Sequence, residues 1–282
     1  MLLNGGVCLA RDAGRDGFAT APSPAVSGPA LEAMRERYDE LYGHHHGYGS
    51  TYPGTGLVQI FGAGKLAPEL IDPGLFAAVN AAAAEMLAAL DGTHPAFDSR
   101  RSAIVPRTTS DTMGCICKPA GTMPVTEVHQ DEAYSTPAVE RQGVTASLAL
   151  QPTSETTGCM MFVPGSHLLP VLEHEVAPHQ THNPVANDVF DELQLSPTAS
   201  ATVDWSTTVA VPVPAGGITF WTPRTLHGSA PNEGEEPRRT LLLGVSYESV
   251  PCAEPTERPW QEDRERGDQE PPATAKKAAA RL

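Results

Sequence analysis

Short apolar and β-branched runs, each bounded by turn residues, recur along the chain from about residue 101. Several such runs at short spacing are typical of a β-sandwich or barrel. In chain order the runs read SAIVPR, TMGCICKP, TEVHQD, VTASLALQ, CMMFVPG, TVAVPVP, GITFWTP and RTLLLGVSYESV. The pattern therefore predicts that most of the chain folds as β-structure.

Two helices are predicted before these strands. Residues 29–42 place apolar side chains at helical intervals, and residues 73–90 form an apolar stretch between Asp-Pro and Asp-Gly. Helices followed by strands fit a mainly β fold with flanking helices, a double-stranded β-helix (cupin-like jelly roll). We predict one such domain over residues 1–252 and a disordered tail over residues 253–282, where charge, Pro and Ala are mixed.

The charge of the chain excludes some classes of partner. Its net charge is −15, whereas a nucleic acid or an anionic membrane surface requires a basic patch. The most apolar helical stretch, LFAAVNAAAAEMLAAL, is interrupted by Asn80 and Glu85 and is short for a membrane span. We therefore expect a small-molecule substrate and neither a nucleic-acid nor a membrane partner.

The cysteines indicate a reducing compartment. There are five, an odd number, and no secretory signal is recognisable. Free thiols in the cytoplasm are the expected state. The sequence leaves open whether the protein is a monomer or a homodimer.

A candidate metal site is formed by three residues from two separate runs. His129 and Asp131 lie two positions apart in VHQDEAY, so an extended strand would point both side chains to one face. His227 follows the run GITFW. Two imidazoles and one carboxylate form the facial triad of non-haem Fe(II) oxygenases, which leaves positions for a 2-oxo acid and O₂. An Arg is suited to the far carboxylate of that acid.

Five motifs in a fixed order give the chain its resemblance to a known family. They are RDGF at 15–18, CKPAG at 117–121, HQD at 129–131, GCMMFVPGSH at 158–167, and HGSAPN followed by Arg238. Over roughly residues 15–250 the chain resembles the phytanoyl-CoA dioxygenase family of Fe(II)- and 2-oxoglutarate-dependent oxygenases.

The resemblance implies a role for each matching residue. The metal ligands would be His129, Asp131 and His227, and Arg238 would bind 2-oxoglutarate. Two further residues match positions near the co-substrate: Lys118, which would equally fit a surface lysine, and Ser229. The implied cofactors are Fe(II), 2-oxoglutarate and O₂.

Two departures from the family pattern concern the lining of the pocket. The family often has an aromatic residue where this chain has Ser147, and Gly-Asp where it has Gly216-Gly217. Neither departure alters the expected metal ligands. The expected reaction is hydroxylation of an unactivated C–H bond of a small metabolite or natural-product intermediate, with release of succinate and CO₂.

Other outcomes share the same residues. Desaturation, ring closure and epimerisation use the same triad, whereas a halogenase would have a small residue in place of Asp131. A non-catalytic jelly-roll binding protein is the alternative from another class. An intact triad together with Arg238 favours an enzyme.

Two loops are expected to cover the active-site mouth: the Gly-rich loop at 43–56 and the insertion at 168–200. His167 is expected to pack the Pro-Gly turn rather than bind metal. Neighbouring strand residues face opposite ways, so only one of Arg238 and Arg239 can point inward. The family resemblance implies that this residue is Arg238, and Arg239 would then point outward. Arg239 is expected to pair with the acidic turn that contains Glu233, Glu235 and Glu236.

Overall fold

Two antiparallel β-sheets form the framework of the protein in a computed structural model. The structure describes residues 12–21, 23–45, 50–51, 58–70, 72–90, 113–121, 125–140, 143–177, 193–246, 250–251 and 257–261. The predicted run SAIVPR lies outside the described residues. The other runs are strands in whole or in part, so the mainly β fold with flanking helices is confirmed.

The larger sheet has seven strands in the order β1-β12-β7-β14-β4-β3-β2. Their bounds are β1 Phe18–Thr20, β2 Ser50–Thr51, β3 Val58–Phe61, β4 Gly114–Lys118, β7 Gly143–Ala149, β12 Ile218–Trp221 and β14 Arg238–Ser246. β7 and β14 are long strands at its centre, paired through seven residues from Thr240↔Ala149 to Ser246↔Gly143.

The smaller sheet has four strands in the order β11-β8-β13-β5. Their bounds are β5 Thr126–His129, β8 Met160–Phe162, β11 Val209–Val211 and β13 His227–Ser229. Two further antiparallel pairs accompany it, β9 (His174–Val176) with β10 (Leu193–Leu195), and β6 (Val139–Glu140) with β15 (Val250–Pro251). The first pair lies within the predicted insertion, of which residues 178–192 are outside the described part.

Helices cover the outer face of the larger sheet. The helices are α1 Pro29–His45, α2 Ala63–Leu66, α3 Pro73–Leu90 and α4 Pro197–Ser200, with 3-10 turns at Pro68–Leu70, Asp131–Tyr134, Ser166–Leu168 and Trp205–Thr207. A helical stretch at residues 12–16 precedes β1. Apolar side chains of α1 and α3 form one buried cluster with alternate residues of β7, β12 and β14. This cluster is the main core, and it leaves the opposite face of the sheet for the site.

The predicted helices are both confirmed, with one difference in length. α3 has the predicted bounds, whereas α1 continues to His45, three residues into the predicted Gly-rich loop. Ser50 and Thr51 form β2, and the remainder of that loop, 46–49 and 52–56, lies outside the described residues.

α3 is long and apolar enough to cross a membrane by length and composition, contrary to the argument from its sequence. Core helices of globular proteins share this length and apolar composition. The side chains of Val79, Ala83, Met86 and Leu90 are fully buried in the main core. The packing is that of a core helix.

The chain after residue 252 departs from the expected tail at one place. Residues 257–261 are described, and the side chains of Arg258 and Trp260 are buried. The expectation of disorder from residue 253 is therefore wrong for these five residues. Residues 252–256 and 262–282 lie outside the described part.

The turn before β12 packs closely against the neighbouring backbone. Gly216 has φ of +75°, and a Cβ there would lie 1.8 Å from the carbonyl oxygen of Val26. Gly165 has a similar φ of +76°, with nothing within 4 Å of an added Cβ. Both substitutions by Ala carry the left-handed penalty of about 1–2 kcal/mol.

Gly216→Ala is expected to lower the free energy of unfolding by about 1–3 kcal/mol more than Gly165→Ala, because only the first displaces backbone. Urea denaturation of both variants measures the difference. Equal destabilisation would show that the close approach to Val26 relaxes without cost.

Candidate metal centre

Strand register places the three predicted ligands together. His129 ends β5, His227 begins β13, and the two residues are direct partners across the antiparallel pair. Gln130 continues the extended backbone with φ −113° and ψ 125°, and Asp131 opens the 3-10 turn that follows. The expectation that His129 and Asp131 share one face holds, although the strand ends at His129.

The ligand atoms converge on one point. The Oδ1 atom of Asp131 lies 3.5 Å from Nε2 of His129 and 3.5 Å from Nε2 of His227. All three candidate ligand atoms lie within 4.8 Å of one another. Ligands about 2.0–2.2 Å from a metal ion and at right angles would be about 3 Å apart. Small side-chain movements would therefore close the triad on an ion.

Backbone carbonyls set the tautomer of both histidines. Nδ1 of His129 lies 2.8 Å from the carbonyl oxygen of Glu127, and Nδ1 of His227 lies 2.8 Å from that of Thr225. A carbonyl only accepts, so each Nδ1 carries the proton and donates it. The lone pair of each Nε2 is then directed at the common point, as metal binding requires.

Two side chains hold the carboxylate of Asp131 from the larger sheet. The indole Nε1 of Trp221 donates to Oδ2 at 3.0 Å, and the hydroxyl of Thr145 donates to the same oxygen at 3.2 Å. Oδ1 is left facing the histidines. Burial raises the pKa of Asp131, but the neighbouring His227 and His129 lower it well below its usual range, so the group is an anion.

Arg238 is a buried cation on the inner face of β14. Its side chain is 4% exposed, Nη2 lies 3.6 Å from Sδ of Met160, and Nε has no hydrogen-bond partner among the described residues. Burial lowers the pKa of Arg238 to about 10, so it stays charged at neutral pH. A buried guanidinium with spare donors fits a carboxylate ligand.

Arg239 faces the helices instead. Its Nε and Nη2 donate to the two carboxylate oxygens of Asp39 in α1, at 2.6 and 2.9 Å. The predicted inward and outward directions of the two arginines agree with this structure. The predicted partner is wrong: Arg239 pairs with Asp39, because β14 packs its outer face on α1 rather than on its own preceding turn.

Lys118 and Ser229 lie close to each other, and Lys118 pairs with Arg238 across the sheet. Lys118 is the direct partner of Arg238 across β14 and β4, and it is fully buried rather than a surface lysine. Its Nζ donates to the carbonyl oxygens of Ser229 and Ala230, at 3.2 and 2.8 Å. The Ser229 hydroxyl donates to that of Thr126 at 2.9 Å. Lys118 therefore ties β4 to the strand that begins with His227.

A third histidine holds the ligand stretch but is not in the triad. Nδ1 of His174 lies 2.8 Å from the carbonyl oxygen of Leu172, and its Nε2 accepts from the backbone N–H of Gln130 at 3.1 Å. The Gln130 side chain is fully buried and bonds to Pro170, Leu172 and Arg224. Sequence reasoning missed these contacts, because the residues lie between 40 and 94 positions apart.

The remaining motifs fall outside the triad. His167 is fully buried against Gly17, where a Cβ would lie 2.6 Å from its Nδ1, and it is not among the triad ligands. Ser147 lies on the same face of β7 as Thr145, two residues along. Among the described residues, the structure assembles one metal-ligand cluster of this kind.

Comparison with known proteins gives a family match and one partial relative. A family model described as phytanoyl-CoA dioxygenase (PhyH) matches residues 15–240. A probable alpha-ketoglutarate-dependent hypophosphite dioxygenase of Stutzerimonas stutzeri is 34% identical over 130 residues. That alignment covers 46% of this chain and 42% of the relative, so it spans less than half of either protein.

Solved structures share the fold over most of the chain. EvdO2 of Micromonospora carbonacea var. aurantiaca is 26% identical, with a TM-score of 0.68 over 90% of this chain and 95% of that one. Its complex with 2-oxoglutarate gives a TM-score of 0.67. The epimerase SnoN, in complex with Fe3+, alpha ketoglutarate and nogalamycin RO, is 18% identical with a TM-score of 0.62, covering 90% and 93% of the two chains. At that identity SnoN shows the fold alone.

Trp221→Phe is expected to weaken binding of a divalent metal about tenfold, because it removes the donor that holds Oδ2 of Asp131. Trp205→Phe is the matched control, since its indole Nε1 donates to Ser200 at an exposed site away from the triad. Calorimetric titration with Co(II) measures both. An equal loss in the two variants would contradict a role for the Trp221 donor.

The pH dependence of stability should carry a signature of His174. Burial lowers the pKa of His174 from 6.5 to about 4, so the unfolded state takes up this proton first as pH falls. The contribution of His174 to the free energy of unfolding is complete above about pH 6.5 and is lost as pH falls toward 4. Between pH 7.5 and 5 the loss from this residue is about 2 kcal/mol.

In the His174→Gln variant that part of the pH dependence is expected to vanish. Urea denaturation at a series of pH values, with the wild type beside the variant, makes the comparison. Parallel curves for the two proteins would show that His174 is not held neutral in the folded state.

Proposed function

The chain belongs to the phytanoyl-CoA dioxygenase family, and from that premise we propose that it hydroxylates an unactivated C–H bond of a small molecule. The family's oxygenases use Fe(II), 2-oxoglutarate and O₂, the cofactors expected from the sequence. The observation that carries the proposal is the convergence of His129 Nε2, Asp131 Oδ1 and His227 Nε2 on one point. When bound there, Fe(II) supplies the O₂ chemistry that couples decarboxylation of 2-oxoglutarate to C–H oxidation.

The residues of the site have separate roles in binding the metal and the co-substrate. His129, Asp131 and His227 would hold the metal through three protein ligands, a set typical of non-haem Fe(II) oxygenases. Arg238 binds the far carboxylate of 2-oxoglutarate, a role supported by its buried guanidinium and its spare Nε donor. Lys118 supports this site from the neighbouring strand, and Ser229 lines it from β13.

Asp131 separates the proposal from one alternative. A halogenase leaves a ligand position free for chloride, whereas here the carboxylate is present, ionised and directed at the histidines. Desaturation, ring closure and epimerisation would need the same residues. The intact triad, together with a buried Arg238, favours an enzyme over a non-catalytic jelly-roll protein.

For the substrate, only a chemical class is proposed. A natural-product intermediate is the proposed class of substrate, and SnoN, an enzyme from nogalamycin biosynthesis, shares the fold. Lids formed by residues 43–56 and 168–200 stay predictions, since much of both segments lies outside the described residues. A cytoplasmic location and a monomeric or homodimeric state also stay predictions.

The proposal is tested by 2-oxoglutarate turnover in two neighbouring arginine variants. Arg238→Ala is expected to raise the KM for 2-oxoglutarate tenfold or more, because a buried charge-assisted partner is worth roughly 2–5 kcal/mol. Arg239→Ala should leave KM nearly unchanged, because it removes a partly exposed pair with Asp39 on the helix side. Succinate release in the presence of Fe(II) and O₂ is the measurement.

A double variant supplies the control for the metal. His129→Ala with His227→Ala should abolish both calorimetric Co(II) binding and succinate release. Wild-type metal affinity in that double variant would place the metal elsewhere. A raised KM in Arg239→Ala with none in Arg238→Ala would remove the proposed role of Arg238.

A further inference from the structure

A short C-terminal segment packs against the turn that contains Asp131. Residues 257–261, here called the C-terminal clasp, lie beyond the 15–240 stretch that matches the family model. Within the clasp, Arg258 is 8% exposed and Trp260 is 5% exposed. A segment outside the family's matched region is thus buried beside the candidate metal centre.

Three side chains of the clasp donate to backbone carbonyls of this turn. Nη1 of Arg258 donates to the carbonyl oxygen of Glu132 at 2.7 Å and to that of Ser135. Nε1 of Trp260 and Nε2 of Gln261 both donate to the carbonyl oxygen of Ala133, at 3.1 and 3.0 Å. Gln261 also donates to Ser135. Ala133 and Ser135 are buried, so these carbonyls depend on protein donors.

The turn has little structure of its own to hold it. Asp131–Tyr134 is a single 3-10 turn, and such turns are short and have weak hydrogen-bond geometry. Glu132 is 1% exposed and its carboxylate accepts from Nε of Arg224 at 2.7 Å, with Nη2 of Arg258 3.8 Å away. The position of the turn, and with it the direction of Asp131, is therefore set by the groups around it.

The clasp also contacts the other side of the ligand stretch. The ring of Trp260 lies 5.6 Å from that of His174, which accepts the backbone N–H of Gln130. Trp260 shares a small buried cluster with Ala133 and Leu193. The clasp therefore contacts Glu132 directly and Gln130 through His174, the residues immediately after and before Asp131.

We propose that the C-terminal clasp is a positioning element that keeps Asp131 directed at His129 and His227, so that metal affinity depends on residues 257–261. The inference rests on the proposed metal site. A merely structural role would lower the stability of the fold and leave the affinity of the folded protein for metal unchanged. A positioning role lowers that affinity in protein that remains folded.

The test is Co(II) titration of full-length variants, with circular dichroism to confirm folding. Arg258→Met keeps an aliphatic side chain without the donors, and Trp260→Phe keeps the ring without its N–H. Each is expected to bind Co(II) about tenfold more weakly than the wild type, as removal of groups that orient a ligand does. The visible absorption band of bound Co(II) should also shift, since it reports the arrangement of the ligands.

Two controls separate positioning from general destabilisation. Gly216→Ala destabilises a turn that does not contact the clasp, and it should bind Co(II) as the wild type does. A chain that ends after Gln261 retains the clasp and should also bind normally. Wild-type affinity and spectrum in both clasp variants would overturn the inference while leaving the metal site in place. Failure of the wild type to bind Co(II) would overturn the proposed function itself.

Discussion

The antiparallel register between β5 and β13 is the constraint on which the site depends, because it sets His129 directly opposite His227. Each of these histidines donates from Nδ1 to the carbonyl two residues before it, and His174 makes the same contact. A local backbone geometry thus orders the ring without help from distant residues. β5 ends at His129, Gln130 stays extended, and the 3-10 turn that follows brings Oδ1 of Asp131 to 3.5 Å from the Nε2 atoms of both histidines.

The inner and outer faces of the larger sheet hold different chemistry. Its outer face joins the helices in an apolar core, whereas its inner face carries the buried Arg238, together with Trp221 and Thr145, which donate to the carboxylate of Asp131. Burying a guanidinium without a carboxylate costs stability. The structure nevertheless retains Arg238 there, which is consistent with a ligand that supplies the missing negative charge.

The Asp131 turn shows how a weak element is held by its surroundings. The buried pair of Glu132 and Arg224 fixes one side of it, and donors from Arg258 and Trp260 fix another. These groups come from positions up to 127 residues away along the chain. The Asp131 turn is thus held by long-range contacts that the HQD motif by itself does not encode.

The sequence by itself determined the β-rich fold, the two helices and the triad, because strand runs, helical spacing and an ordered set of motifs are local signals. It also indicated that Arg238 and Arg239 face opposite ways, since strand residues alternate. Only the tertiary structure decided that Arg239 meets Asp39, that Trp221 holds Asp131, and that residues 257–261 pack on its turn. Those contacts join distant segments, and local periodicity carries no information about which segments pack together.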